Sequence, residues 1–420
     1  KRLASEHLIE FLINPSNSKR VIKLRGYMNS PAIIPTREAG LERLKAFLPS
    51  AGKEYAAFRN YDLGQEKHPN VSMLSPYIRH RVLTETEVLK SVLQSHSSKS
   101  AEKFIQEIFW RTYWKGWLEM RPTVWAEYCS NLNKLYDQLQ TQSGLRKSWE
   151  DACTGNTGID CFDSWATELF ETGYLHNHSR MWFASIWIHT LELPWELGAD
   201  FFLRHLLDAD PASNTLSWRW VGGAQTIGKT YMASAQNIQK FTKGRFYPRN
   251  LSQTPKMIQG SNNPDRLPIS FDAVINNPKK YAVLLHWEDM DWSVLKDLLP
   301  NAEKIFCLVP NNEPTPLIPS NLQQNFRKKL LEDTLMRWQD KLGPVETIEK
   351  LEALKSETFD FIFTNYITVG NTRDLIQNFD WKNTKLIKLA RDYDRKAWPY
   401  ATHGFFRFKE QIGNFLTALN

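Results

Sequence analysis

The chain has 420 residues, 42% of them hydrophobic and 24% charged, with a formal net charge of +7. That composition supports sizeable cores and excludes a disordered polyelectrolyte, and the positive balance favours a polyanionic partner, nucleic acid ahead of membrane. The four cysteines, Cys129, Cys153, Cys161 and Cys307, form no CxxC pair, which argues against a disulfide scaffold or zinc module and for reduced thiols in a cytosolic-type protein. No apolar run approaches the roughly 18 residues of a membrane span, and no secretory leader is expected from the residues that follow Lys1–Arg2.

Residues 1–34 form a mixed N-terminal extension with turn signals at Asn14-Pro15 and Asn29-Ser30-Pro31. Residues 35–246 carry helical periodicity and no convincing strand. Leu41, Leu44, Phe47 and Leu48 share one helix face, and Lys103–Met120 predicts a long helix. Asp160–Thr172 predicts another, stopped by Gly173, and Ser179–Leu193 a third, closed by Pro194. Residues 247–275, rich in Pro, Asn, Ser and Gly, read as a linker. Over 276–420 the pattern changes. Tyr281–His286, Lys304–Val309, Phe359–Thr364 and Leu386–Leu389 have strand length. They alternate with helical stretches at Ser293–Leu299, Gln324–Leu342, Val345–Lys355 and Arg373–Asn378. Such alternation predicts a Rossmann-like parallel α/β layer. The fold class is therefore multi-domain α and α/β, an all-helical domain followed by an α/β domain.

Polar residues embedded in apolar, tryptophan-rich sequence mark candidate chemistry. Ser75 before Pro76 suits a helix N-cap, and a helix start also offers free N–H groups to a phosphate. Arg111, within the apolar helix around Glu107 and Trp110, needs an anion or carboxylate partner. His176 and His178 lack a nearby third metal ligand, so no metal site is expected. Asn177 and Arg180 fall on one helical face near its N-terminus, suited to a carboxylate or pyrophosphate. Asp208-Ala-Asp210-Pro-Ala-Ser-Asn214 lacks the glycine and terminal glutamate of a calcium loop, and an ion pair of Arg180 with one acid is the economical reading. Gly223–Thr230 fits the pattern GxxxxGK[ST], but a phosphate-binding loop needs a preceding buried strand, and Ser217–Val221 lies in a helical context.

Together these residues resemble the FAD-binding domain of the DNA photolyase/cryptochrome family over about Thr36–Phe246. Ser72-Met-Leu-Ser75-Pro76-Tyr77 is similar to the family's TSxLSPYL, and Glu107–Arg111 to its E(L/I)xWR. Thr157-Gly158-Ile-Asp looks like TG(Y/F)P..DA, and Gly173–Met181 like G(W/Y)(M/L)HNRxRM. Asp208–Trp220 looks like D(G/A)DxAxNxxxWQW. The resemblance implies FAD inside a helical domain. Ser72 and Ser75 would hold phosphates, with Arg111 and Asn177 nearby. Arg180 would pair with Asp208 against the ring, Asp210 would contact the ribityl or adenine side, and Asn214 would face flavin N5. Trp218 and Trp195 match the first two members of the family's electron-transfer chain. The distal member has no clear counterpart: Leu139 lies near its place, with Tyr136 or another aromatic as substitute.

Glu107, Trp110, Met181 and Trp220 match the family's damaged-base pocket, and His178 stands where the family has a substrate-side arginine. Val71 and Arg81 also depart from the motifs, which bears on DNA affinity more than on flavin. The implied activity is light-driven splitting of pyrimidine dimers in UV-damaged DNA by a monomeric lyase, expected in the cytoplasm and, if bacterial, associated with the nucleoid. The alternative is a cryptochrome-like blue-light photoreceptor acting on a signalling partner. The family's α/β antenna domain usually precedes the FAD domain, so its apparent C-terminal placement here suggests permuted order. Leu285–Met290 lacks the antenna domain's arginines, so the antenna chromophore is left unassigned.

Overall fold

The computed structural model describes residues 33–419 except 65–67, 227, 259–262, 311–316 and 357. The expected extension at 1–34 thus lies almost wholly outside the described residues. Helices α1 (Arg37–Phe47), α2 (Lys53–Phe58), α3 (Ser75–Arg79), α4 (Glu85–Ser95), α5 (Glu102–Glu119) and α6 (Thr123–Thr141) come first. Then follow α7 (Ser143–Cys153), α8 (Asp160–Thr172), α9 (Asn177–Ser185), α10 (Trp195–His205), α11 (Pro211–Val221) and α12 (Ala235–Phe241). No strand interrupts them among the described residues. Local chemistry fixes several ends. Thr84 and Glu87 form a reciprocal capping box on α4. Gly173, at φ 68°, takes the left-handed conformation that ends α8. Asp210 caps α11 by accepting from the Ser213 amide at 2.9 Å, with Pro211 in the first turn.

The second part holds β1 (Tyr281–His286), β2 (Lys304–Leu308), α13 (Asn321–Trp338), β3 (Val345–Ile348), β4 (Phe361–Asn365), α14 (Asn371–Gln377) and β5 (Lys385–Leu389). It ends with α15 (Asp392–Ala397), α16 (Phe405–Lys409) and α17 (Ile412–Thr417). All strand pairings are parallel, in the order β3-β2-β1-β4-β5. The order reverses direction at β1 and β4, and the crevice beyond their carboxyl ends is where such sheets present a site. Here that crevice faces the helical part. Glu119 of α5 accepts from Tyr366 Oη at 2.8 Å and from the Val369 amide at 2.7 Å, both after β4. His80 meets the Trp287 carbonyl through Nδ1 at 2.9 Å, after β1. One apolar cluster runs through both parts, from Leu44 to Phe415.

Three sequence expectations are corrected. Val345–Lys355 is no helix. Val345, Thr347 and Ile348 are β-branched, and the segment pairs with β2 as an edge strand before a short 3₁₀ turn. Ser293–Leu299 yields only two 3₁₀ turns, at Trp292–Leu295 and Leu299–Asn301. Ser75 is the first residue of α3 rather than its cap. Met73, at φ 52°, turns the chain a residue early, so Leu74 occupies the cap and Ser72 Oγ accepts from the Leu74 amide at 3.3 Å. The segment that opens at Gly222 follows helix α11, not a strand, as its context required.

Candidate flavin site

The site is built where α3, α5, α9, α10 and α11 converge. Asp208 and Asp210 lie in the short turn between α10 and α11, so one helix start fixes both. Arg180, one turn into α9, donates through both terminal nitrogens to Asp208, at 3.0 and 2.9 Å, and through Nε to the Leu175 carbonyl at 2.9 Å. This fork-to-fork geometry locks the guanidinium plane. Tyr174 lies beneath it, its ring centroid 5.5 Å away. The ion pair expected from sequence is therefore formed with Asp208.

Asp210 has a different environment. Its second oxygen lies 3.1 Å from Lys115, 3.6 Å from Arg111 and 3.8 Å from Arg79. Burial alone would raise this carboxyl, but Lys115, Arg111 and Arg79 hold it well below the usual carboxylate range. Lys115 is itself pushed down by burial, with Asp210 opposing. Sequence reasoning missed Lys115 and Arg79. Lys115 was findable, four residues after Arg111 and on the same face of α5. Arg79 was not, because its second partner, Glu288 at 2.6 Å, comes from the loop after β1.

Asn214, on α11, is oriented by its own amide. Nδ2 donates to the Ala199 carbonyl at 2.8 Å, leaving Oδ1 as the open acceptor. Trp218, one turn on, packs against Gly198 of α10, where any side chain would collide with the indole. Asn177 opens α9 with an exposed side chain, capped by His176, whose Nδ1 accepts from the His178 amide at 3.1 Å. His178 stacks on Trp182 with ring centroids 4.0 Å apart.

The four residues expected to line a base pocket have other neighbours in this conformation. Glu107 pairs with Arg59. Trp110 lies flat on Phe405 of α16, centroids 3.6 Å apart and planes 11° from parallel. Trp220 stacks on Tyr231 at 5.6 Å, and Met181 is half-buried. Trp195 touches Tyr128 of α6, centroids 5.5 Å apart, a neighbour sequence reasoning did not name.

The donor set fits a flavin dinucleotide. Ser72 and Ser75 hydroxyls flank a helix start, Arg111 Nε faces Glu85 at 3.6 Å without making a hydrogen bond among the described residues, and Asn214 Oδ1 is available to an N–H. Fold and site thus define a helical flavin-binding domain joined to a parallel α/β sheet. Residues 104–253 match the family model described as the FAD binding domain of DNA photolyase. Over these residues the chain is similar to DNA photolyases in the domain that binds their FAD.

Its relatives include the deoxyribodipyrimidine photo-lyase of Agrobacterium fabrum, 30% identical over 193 residues, 45% of this chain and 39% of that protein. That of Thermus thermophilus is 31% identical over 197 residues, 45% of this chain and 43% of that protein. The chain thus spans about two fifths of the length of these curated relatives. Among solved structures, a class III photolyase from Agrobacterium tumefaciens aligns with TM-score 0.38 and 25% identity, over 50% of this chain and 43% of that one. A Synechocystis cryptochrome aligns with TM-score 0.38 and 23% identity over the same shares. Among the described residues no helix is long and apolar enough to cross a membrane.

Proposed function

We propose that this protein is a light-driven DNA photolyase, a lyase that splits UV-induced pyrimidine dimers. The observation that carries this is the Arg180–Asp208 fork, with the oriented Asn214 amide on the helix that follows Asp208, in a domain matching the photolyase FAD-binding model. Bound FAD would supply excited-state one-electron chemistry. The protein's residues do the rest. Ser72, Ser75, Arg111 and Asn177 would hold the phosphates, and Asp210, within its cationic cluster, would face the ribityl or adenine side. The Arg180–Asp208 pair would present a fixed dipole to the ring, and Asn214 Oδ1, left open by its amide's bond to Ala199, would accept from an N–H of the bound ring and so favour its reduced form. Glu107, Trp110, Met181 and Trp220 receive an extruded base, with aromatic faces replacing lost stacking and His178 on the phosphate side. UV-damaged DNA is the partner, consistent with a net charge of +7.

One observation favours the second reading, a cryptochrome-like photoreceptor. Trp110 and His178 already spend a ring face on Phe405 and Trp182. The two readings separate in one experiment. Purified, flavin-loaded, reduced protein is illuminated with oligonucleotides carrying a cyclobutane or (6-4) lesion. Photolyase function requires light-dependent restoration of the bases. Intact flavin photoreduction without restoration selects the photoreceptor, and a protein that takes up no FAD excludes both.

A further inference from the structure

The stretch from Trp398 to Lys409 lies outside the residues that match the family model, yet it is fixed firmly to helix α5. Trp398, Phe405 and Phe408 are buried. Gly116 of α5 admits the first of these, since a Cβ there would meet the Trp398 Cα at 2.9 Å. Tyr113 Oη donates to the His403 carbonyl at 2.6 Å. Phe405 lies on Trp110, which places this stretch at the edge of the proposed base pocket. The next residue, Phe406, is 81% exposed, the most exposed large apolar side chain among the described residues.

Positive charge gathers around the same turn. Arg121 lies over the Trp117 ring at 4.3 Å and donates through Nε to the Pro264 carbonyl at 3.2 Å and through Nη2 to the Thr402 carbonyl at 3.0 Å. Those two bonds bring the 264–266 stretch beside the turn at 402–407. Exposed Arg266 and Arg407 complete the group. Desolvation, then the positive fields of Arg407, Arg266 and Arg121, push the exposed His403 imidazole below its ordinary value, so all three guanidinium groups face one spot. None of the three has an ion-pair partner among the described residues.

Uncompensated arginines beside a bare aromatic ring suit a nucleic-acid strand. Every base has a face that stacks on such a ring, and every phosphate suits a guanidinium group. Phe406 and half-exposed Tyr400 offer too little apolar area for a stable protein interface, which needs about 800 Å² on each side. We propose that Phe406, Arg266 and Arg407 form a docking surface for the DNA strand next to the extruded lesion. Phe406 stacks on a flanking base, and the two arginines bind phosphates. This surface rests on the DNA-repair reading of the preceding section and brings the α/β part into substrate binding.

Fluorescence anisotropy of a labelled oligothymidine strand, titrated in the dark with the flavin-loaded full chain, tests this. Phe406→Ala weakens binding about tenfold, and Phe406→Trp, which keeps a stacking face, does not. Arg266→Ala and Arg407→Ala each reduce the slope of log affinity against log salt by about 0.7, the contribution of one phosphate on a single strand. Lys350→Ala, an exposed charge just after the edge strand β3, changes neither quantity. All four positions are exposed, so each variant folds, which circular dichroism and flavin content verify. Wild-type affinity in Phe406→Ala together with wild-type slopes in both arginine variants overturns this surface, while light-dependent repair by the same preparation leaves the photolyase reading intact. Loss of binding to phosphatidylglycerol vesicles in Phe406→Ala, with oligothymidine binding unchanged, also overturns it and assigns the face to a membrane. A wild-type chain that binds neither oligothymidine nor a lesion-bearing strand overturns the repair reading and this surface together.

Discussion

At Arg180, one side chain carries three obligations: two hydrogen bonds to Asp208 and one to the Leu175 carbonyl. Removing it leaves the nearly buried Asp208 carboxylate without its counter-charge, a change that costs about 3 kcal/mol in comparable pairs. Arg180→Ala is therefore expected to lower stability by about that amount in urea unfolding and to purify without flavin absorbance. Wild-type flavin content in the variant would contradict the assignment of this pair to the ring. Asn214 separates fold from chemistry. Asn214→Ala loses one hydrogen bond to the Ala199 carbonyl, about 1 kcal/mol. On the proposed assignment its larger effect falls on the flavin potential, measured by spectroelectrochemistry, which drops because the reduced ring would lose an acceptor for its N–H.

Among the elements, the loop after β1 answers to pH. Glu288 is largely but not wholly withdrawn from solvent beside Arg79 and Arg327, and although burial alone would raise its carboxyl, those guanidinium groups hold it down at about 2, against an ordinary value of 4.5. A folded-state value below the unfolded one stabilises fully above pH 4.5, and that stabilisation is lost as pH falls toward 2. The shift corresponds to about 3 kcal/mol. The difference in unfolding free energy between wild type and Glu288→Gln should be about that at pH 7 and shrink across this window. A difference that is constant with pH would dismiss Glu288 as the titrating group. The same loop shows what sequence could reveal. Strand length and alternation were legible in β1, β2, β4 and β5, since buried apolar runs announce themselves. The Val345–Ile348 edge strand was not, because its half-exposed charge-bearing pattern also suits a helix turn. Likewise Arg180–Asp208 was legible from local spacing and motif. The pairing of Arg79 with Glu288, 209 positions away, and the contact of Trp110 with Phe405 depend on tertiary docking that no local pattern encodes.

Over the whole molecule, the helical and α/β parts are fastened by ionised groups withdrawn from water. Arg81, at φ 54°, donates to both oxygens of Asp394 at 2.7 Å and to Asp289 at 3.0 Å, while Arg391 closes the ring onto Asp289 and Asp291. Desolvating so many charges is costly, and each is tolerable only while its partners are present. Removing one is therefore worse than never having built the network. Arg81→Ala keeps the Cβ, and with it the left-handed backbone strain, and strands two buried carboxylates, at a cost of about 3 to 5 kcal/mol. Asp394→Asn in the same background should recover part of that loss, giving a coupling energy that a chain of independent contacts lacks. Because the apolar cluster also runs through both parts, the wild-type chain should unfold in one transition. Flavin absorbance, reporting the helical part, and amide exchange in β1 and β4 should lose protection at the same urea concentration. Two separated midpoints would mean that the parts fold independently and that this network merely decorates their contact.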